Sequence, residues 1–167
     1  WADARRMEAY GLTSEDLVVC VLSGGASSLL ATPVGAASLH DLVELNRLLL
    51  GAGMPISEVN TVRKHLSALT GGRLAAKAAP ARVLALILSD VVGSAMESVA
   101  SGPTSPDPSS FAEALCILDR YALADRVPGA LLDELRDGLA GRRPETPKPG
   151  DPVFDRVQNL IVGSCEL

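Results

Sequence analysis

Leu17-Val18-Val19-Cys20-Val21-Leu22-Ser23-Gly24-Gly25-Ala26-Ser27-Ser28 is the stretch whose reading decides the fold. Six apolar residues run without a polar interruption, bounded by Ser14-Glu15-Asp16 before and by Ser23-Gly24-Gly25 after. A strand with one wet face alternates polar and apolar residues, so an unbroken run of strand length reads as a central parallel strand covered on both faces. Arg82 to Leu88 (RVLALIL) repeats the design, and Gln158 to Val162 (QNLIV) is a shorter third candidate. Helical patterns fill the intervals. This β-α-β alternation predicts an α/β fold: one three-layer, Rossmann-like domain over residues 1–167 with a mainly parallel sheet.

The totals agree. A chain of 167 residues with 47% hydrophobic content is long enough for a proper core, and with only 3% aromatic residues that core is built from Ala, Val, Leu and Ile. The net charge of -5 excludes a broad nucleic-acid surface, which needs a Lys/Arg-rich face to displace counterions. Any anion site must therefore be local. Cys20, Cys116 and Cys165 lack metal-ligand spacing and read as reduced thiols of a cytoplasmic protein. No apolar run approaches the roughly 20 residues that span a bilayer, and Trp1-Ala2-Asp3-Ala4-Arg5-Arg6 starts like the middle of a helix rather than a signal peptide. Both ends read as cut from something longer.

Helix signals are explicit. Ser38 caps a segment running through Leu50, with Asp41 three positions on and Gly51 and Gly53 at its end. A second helix begins near Pro55 and Ser57, and its apolar stripe Val59, Val62, Leu66 and Leu69 stops at Gly71-Gly72, where the chain folds back into the sheet. Pro108-Ser109-Ser110-Phe111 opens a third helix to about Tyr121, and Pro128 opens a fourth ending near Gly141. Gly141 to Pro152, with four prolines, reads as an ordered surface loop.

Three polar clusters fall where a parallel sheet collects ligands, beyond the carboxyl ends of its strands. In Ser23-Gly24-Gly25-Ala26-Ser27-Ser28 the glycines permit close backbone approach and the serines add hydroxyl donors, which suits phosphate or carboxylate; a plain tight turn is the alternative. The run matches neither G-x-G-x-x-G nor the Walker pattern. Asn60, Arg63, Lys64 and Ser67 share one helical face by their i, i+3, i+4, i+7 spacing, with a solvated surface as the alternative, and His65 lies off that face. Ser89-Asp90 ends the second strand, followed by Gly93 and by Ser101-Gly102-Pro103-Thr104 with Asp107. An acidic residue at a strand tip is placed to hold Mg²⁺ or to act as a base, or else to cap a helix. Asp107, in Ser-Pro-Asp-Pro, reads as turn chemistry.

In this order the clusters resemble the N-terminal domain of class II glycerate kinases, the glycerate 2-kinase family often labelled hydroxypyruvate reductase and associated with the MOFRL domain. The likeness rests on Leu22 to Leu29 (LSGGASSL), Asn60 to Ser67 (NTVRKHLS) with Gly71 to Ala75 (GGRLA), Ser89 to Gly93 (SDVVG), Ala100 to Thr104 (ASGPT) with Pro106-Asp107, and Thr146 to Asp151 (TPKPGD). It covers nearly the whole chain, and the NTVRKHLS run is its specific part.

The resemblance implies ATP-dependent phosphorylation of D-glycerate with Mg²⁺, in a cleft between this domain and a C-terminal domain. It implies that Arg63, Lys64 and Asp90 are catalytic, Asp90 also serving the metal. Ser23, Gly24, Gly25, Ala26, Ser27, Asn60, Ser101, Gly102 and Thr104 would hold substrate or phosphate. Phosphoryl transfer asks mainly for positioning and charge stabilisation, so the inventory suffices in kind.

Two residues depart from the family pattern: Ala26 stands where a third glycine is usual, and Ser94 where an aspartate is usual. The family's earlier Gly-Lys-Ala-type loop and its C-terminal domain are also missing, so the chain reads as a fragment that is inactive alone. Two alternatives stand beside the kinase. One is a non-catalytic anion-binding module, and the other an NAD(P)H-dependent hydroxypyruvate reductase, for which no dinucleotide fingerprint is visible. D-glycerate is the expected partner, with no nucleic acid and no membrane, and exposed sheet near Val157 to Val162 makes a homodimer an expectation.

Overall fold

The computed structural model describes residues 11–23, 25–26, 30–89 and 101–164. In chain order the elements are β1 (Leu17–Leu22), α1 (Leu39–Gly51), α2 (Ile56–His65), α3 (Arg73–Ala78), β2 (Arg82–Ser89), α4 (Phe111–Arg120), α5 (Gly129–Leu139) and β3 (Val157–Ser164). Short 3₁₀ turns at Ala124–Arg126 and Pro152–Arg156 precede α5 and β3. The chain divides into two compact units, one of residues 1–30, 69–107 and 147–167, the other of 31–68 and 108–146. No described helix is long and apolar enough to cross a membrane.

The first unit carries the sheet, in the order β1-β2-β3. Both pairings are parallel, Leu17 facing Arg82 through Leu22 facing Ile87, and Val83 facing Val157 through Ser89 facing Ser164, with a register shift between Ile87 and Leu88. The α/β class expected from the three apolar runs is the observed one. Among the described strands β2 is central and β1 pairs with it alone. Its burial alternates accordingly. Leu22 is buried and Cys20 and Val18 half-buried, whereas Leu17, Val19 and Val21 are exposed at 54%, 53% and 77%. The inward face packs in two clusters, Leu69, Leu74, Ala78 and Val83, and Leu22, Ala85 and Ile87. Each fully buried Leu or Ile there contributes about 1.5–3 kcal/mol relative to exposure.

The second unit is helical, its core formed by Leu45 and Leu49 of α1, Val59 and Val62 of α2, Phe111 and Leu118 of α4 and Leu131 and Leu135 of α5. Two reciprocal capping boxes start its helices. The Asp41 amide donates to Ser38 Oγ (3.2 Å) while the Ser38 amide donates to Asp41 Oδ2 (2.7 Å), and Ser110 and Glu113 repeat the exchange at 3.2 and 2.8 Å.

Two expectations need correction. α2 ends at His65, because Leu66 closes the last turn with its N–H on the Arg63 carbonyl (3.2 Å), after which Ser67 bridges Pro33 and the Ala68 amide donates to the Thr32 carbonyl (2.8 Å). Pairing with another strand-like segment outcompetes continuation of the helix, so Leu69 belongs to the core of the sheet unit instead of to a helical stripe. Gly71-Gly72 also does not return the chain directly to the sheet. Gly72, at φ 80°, starts the extra helix α3 before β2.

Candidate functional site

At the carboxyl end of β1 the chain turns at once into a helical turn. The Ala26 amide donates to the Ser23 carbonyl (3.1 Å) and the Leu30 amide to the Ala26 carbonyl (2.8 Å). Gly25 has φ 78°, a region L side chains avoid, yet a Cβ there would meet nothing within 4 Å, so glycine serves conformation and leaves the backbone bare to solvent. Ser23 and Gly25 are exposed. Ala26 packs against the Leu22, Ala85 and Ile87 cluster, which gives the methyl of this departure from the family pattern a place in the core. Gly24, Ser27 and Ser28 lie outside the described residues.

Also in the sheet unit, Ser101-Gly102-Pro103 runs beside the start of α3. The Ser101 and Gly102 carbonyls accept from the Gly71 and Gly72 amides (3.0 and 2.7 Å), and the Pro103 carbonyl from the Leu74 and Ala75 amides (3.2 and 3.3 Å). Ser101 is nearly sealed from water and sits at φ 59°, which a non-glycine residue adopts at a cost of order 1–3 kcal/mol. Thr104 is committed elsewhere. Its Oγ1 donates to Asn159 Oδ1 (2.6 Å) while Asn159 Nδ2 returns a bond to the Thr104 carbonyl (3.1 Å), so the hydroxyl spends its one proton tying this loop to β3. Asp107, expected in a turn, is fully buried with its amide on the Pro147 carbonyl (2.9 Å). Asp90, Gly93 and Ser94 lie outside the described residues.

In the helical unit the last turn of α2 carries Arg63, Lys64 and His65. A helix C-terminus bears partial negative charge from its unpaired carbonyls, so the cationic Arg63 and Lys64 are favourably placed there. The solvated-surface alternative does not hold: Lys64 is 8% exposed, and Arg63 is buried enough that desolvation lowers its pKa from the ordinary arginine value. Asn60 is half-buried on the same helix. Ser67, expected on that helical face, lies beyond the helix in the bridge to Pro33. Arg63 and Lys64 thus form a cationic end held largely out of water, where an anion gains more than at an exposed surface.

Two residues that spacing did not single out sit behind this end. His65 is 1% exposed, with Nδ1 2.8 Å from the Thr61 carbonyl and Nε2 3.1 Å from Glu145 Oε2. Glu145 Oε1 accepts from the Phe111 amide (2.9 Å), and the Phe111 ring meets the imidazole edge-on at 4.7 Å between centroids and 60° between planes. The proline-rich loop is thereby fastened to both α2 and α4. Only the His in NTVRKHLS hinted at it. Among the described residues one group has three potential metal ligands close together, the half-buried Asp41 with the exposed His40 and Glu44 on α1, but the Asp41 carboxylate already serves the capping box.

The family model described as "Domain of unknown function (DUF4147)" matches residues 2–136. A glycerate kinase of Danio rerio is 42% identical over 163 residues, 98% of this chain and 32% of that protein. A provisionally named hydroxypyruvate reductase of Agrobacterium vitis is 47% identical over 157 residues, 94% of this chain and 34% of that protein. The crystal structure of a glycerate kinase from Thermotoga maritima superposes with a TM-score of 0.82 at 36% identity, covering 97% of this chain and 36% of that one. The chain spans about a third of the length of these relatives.

Proposed function

This chain belongs to the DUF4147 family, the N-terminal domain of glycerate kinases, and on that premise we propose that the protein carrying it transfers the γ-phosphoryl group of ATP to a hydroxyl of D-glycerate. The bond from the γ-phosphorus to the bridging oxygen breaks, a bond to the glycerate oxygen forms, and the hydroxyl proton leaves to solvent or a base. The supporting observation is the desolvated cationic end of α2. Arg63 and Lys64 carry charge into a site of reduced water access, which is what a phosphoryl group or a substrate carboxylate requires.

In this reading Arg63 offers a planar fork for two anionic oxygens and Lys64 a single strong donor, while Asn60 orients the ligand. Separately, within the sheet unit, the exposed backbone at Gly25 is suited to an anionic group. Ser101 and Gly102 hold the Gly71 and Gly72 amides at the start of α3, and the Thr104 hydroxyl is left out because Asn159 holds it. These donors fit the anionic part of ATP. Mg²⁺, where bound, neutralises phosphate oxygens. Asp90, the residue assigned to it by resemblance, lies outside the described residues, and no step is routed through the ion. Cytoplasmic placement belongs to the same reading.

The test is a coupled ADP-release assay with D-glycerate on the full-length polypeptide that carries this chain. Turnover is expected, with Lys64→Ala lowering kcat/KM about a hundredfold, the usual order for one charge-stabilising donor. Absence of phosphorylation of glycerate or a close hydroxy acid overturns the proposal. The Agrobacterium relative's name supports a second reading as a hydroxypyruvate reductase. Loss of nicotinamide absorbance with hydroxypyruvate would favour it over the kinase.

A further inference from the structure

We infer that His65 and Glu145 are positioning residues, a buried clasp that fixes the last turn of α2 and with it the direction in which Arg63 and Lys64 present their charges. The inference rests on the kinase reading of that basic end.

The hydrogen-bond inventory dictates the form of the clasp. The Thr61 carbonyl can only accept, so His65 Nδ1 carries a proton and donates to it, folding the ring back along its own helix. A carboxylate oxygen can likewise only accept unless it is itself protonated, so the bond between Nε2 and Glu145 Oε2 is made by a proton held between the two. The other carboxylate oxygen takes the amide of Phe111, a first-turn N–H of α4 that has no partner within its helix. One carboxylate therefore joins the end of α2, the start of α4 and the proline-rich loop. The contact is not a local accident, because Glu145 stands eighty positions from His65 in sequence.

Packing alone does not explain the pair. A leucine would fill a 1% exposed position without needing partners, whereas a buried imidazole costs several kcal/mol unless both nitrogens are satisfied, and here both are. The edge-on Phe111 ring removes the remaining freedom of the imidazole. What the arrangement adds over a leucine is direction. α2 ends at His65, and the bond from Nδ1 to Thr61 spans the turn that contains Arg63 and Lys64. Without the clasp the turn is still closed by the Leu66 amide on the Arg63 carbonyl and by the Ser67–Pro33 bridge. The imidazole loses its fixed distant partner, however, and small shifts of Arg63 and Lys64 misalign them with a reacting phosphoryl group.

The experiment uses the full-length polypeptide with Glu145→Ala, Glu145→Gln and Lys64→Ala. Glu145→Gln keeps an oxygen for the Phe111 amide and turns its NH₂ toward Nε2, which accepts it in the neutral ring with Nδ1 still protonated, so the clasp survives. Glu145→Ala removes it. The expected result is a tenfold to hundredfold fall in kcat for Glu145→Ala, of the order that about 1 Å of misplacement costs, with KM for D-glycerate within about threefold. Recovery to within about threefold of wild type is expected in Glu145→Gln. Ring ¹⁵N shifts report the clasp without reference to activity: Nε2 of His65 is expected to show its hydrogen bond in wild type and Glu145→Gln and to lose it in Glu145→Ala, while Nδ1 stays protonated against the Thr61 carbonyl in all three.

An unchanged kcat in Glu145→Ala, with Lys64→Ala strongly impaired, overturns the clasp and leaves the kinase reading intact. Full activity in Lys64→Ala instead overturns the basic-end reading on which the clasp depends. A Glu145→Ala protein that fails to fold passes the decision to Glu145→Gln, where loss of the Nε2 hydrogen-bond signal refutes the proposed geometry.

Discussion

Replacing Gly72 by alanine tests the reasoning about the loop at the start of α3 most directly. Gly72 adopts φ 80° and ψ -6°, where an L residue brings its Cβ against its own backbone, at about 1–2 kcal/mol. The added methyl would also stand 2.8 Å from Phe154 Cζ, 3.0 Å from the Ser105 carbonyl oxygen and 3.3 Å from Pro147 Cβ. The aromatic ring can yield. The carbonyl cannot yield easily, because its loop is held by the bond from the Gly72 amide to the Gly102 carbonyl (2.7 Å) and by those from Leu74 and Ala75 to Pro103. Overpacking of this kind costs about 1–3 kcal/mol, so the total is about 3 kcal/mol. That is a large part of the roughly 5–15 kcal/mol that stabilises a typical domain.

Gly53→Ala is the control, since Gly53 has φ 68° but nothing within 4 Å of its would-be Cβ, and should lose only the conformational part, about 1 kcal/mol. Urea unfolding followed by circular dichroism gives both values, provided the m-values match wild type. Equal losses at the two glycines would refute the steric half of the argument.

Gly138→Ala sets helix propensity against packing. Alanine favours a helix by about 1 kcal/mol, but its methyl would overlap the Phe111 ring, so a net loss of about 2 kcal/mol is expected, and a gain in Tm would contradict it. Ser38→Ala should cost about 1 kcal/mol at neutral pH by removing the α1 cap. The Asp41 carboxyl is held below its usual value chiefly by the Ser38 side-chain bond, so it stabilises the fold above the ordinary carboxylate pKa and that contribution is lost as pH falls through the lowered one. Stability of Ser38→Ala should therefore fall less steeply with acid than that of wild type, and parallel acid limbs would count against this. Exposed Cys116 should alkylate with iodoacetamide about tenfold faster than Cys20, whose thiol is pushed up by burial. Peptide mass spectrometry showing equal rates would contradict the burial of β1's inner face.

What could be read without coordinates was local in its physics. The apolar runs at 17–22 and 82–88 paired as parallel strands because their composition needs no partner to be recognised, and Ser38 with Asp41 declared a helix start across three residues. The pattern NTVRKHLS marked the basic end of α2 through its residue types. Its burial was not legible, since whether Lys64 meets water depends on chain far from it in sequence. The same holds for the end of α2, decided by the bridge from Ser67 to Pro33 more than thirty residues earlier, and for Thr104, whose hydroxyl is taken by Asn159 fifty-five positions later. It holds most of all for His65 and Glu145. Propensities and caps act between neighbours and can be read along the chain, whereas desolvation and pairing across eighty residues are set only when distant segments are packed together.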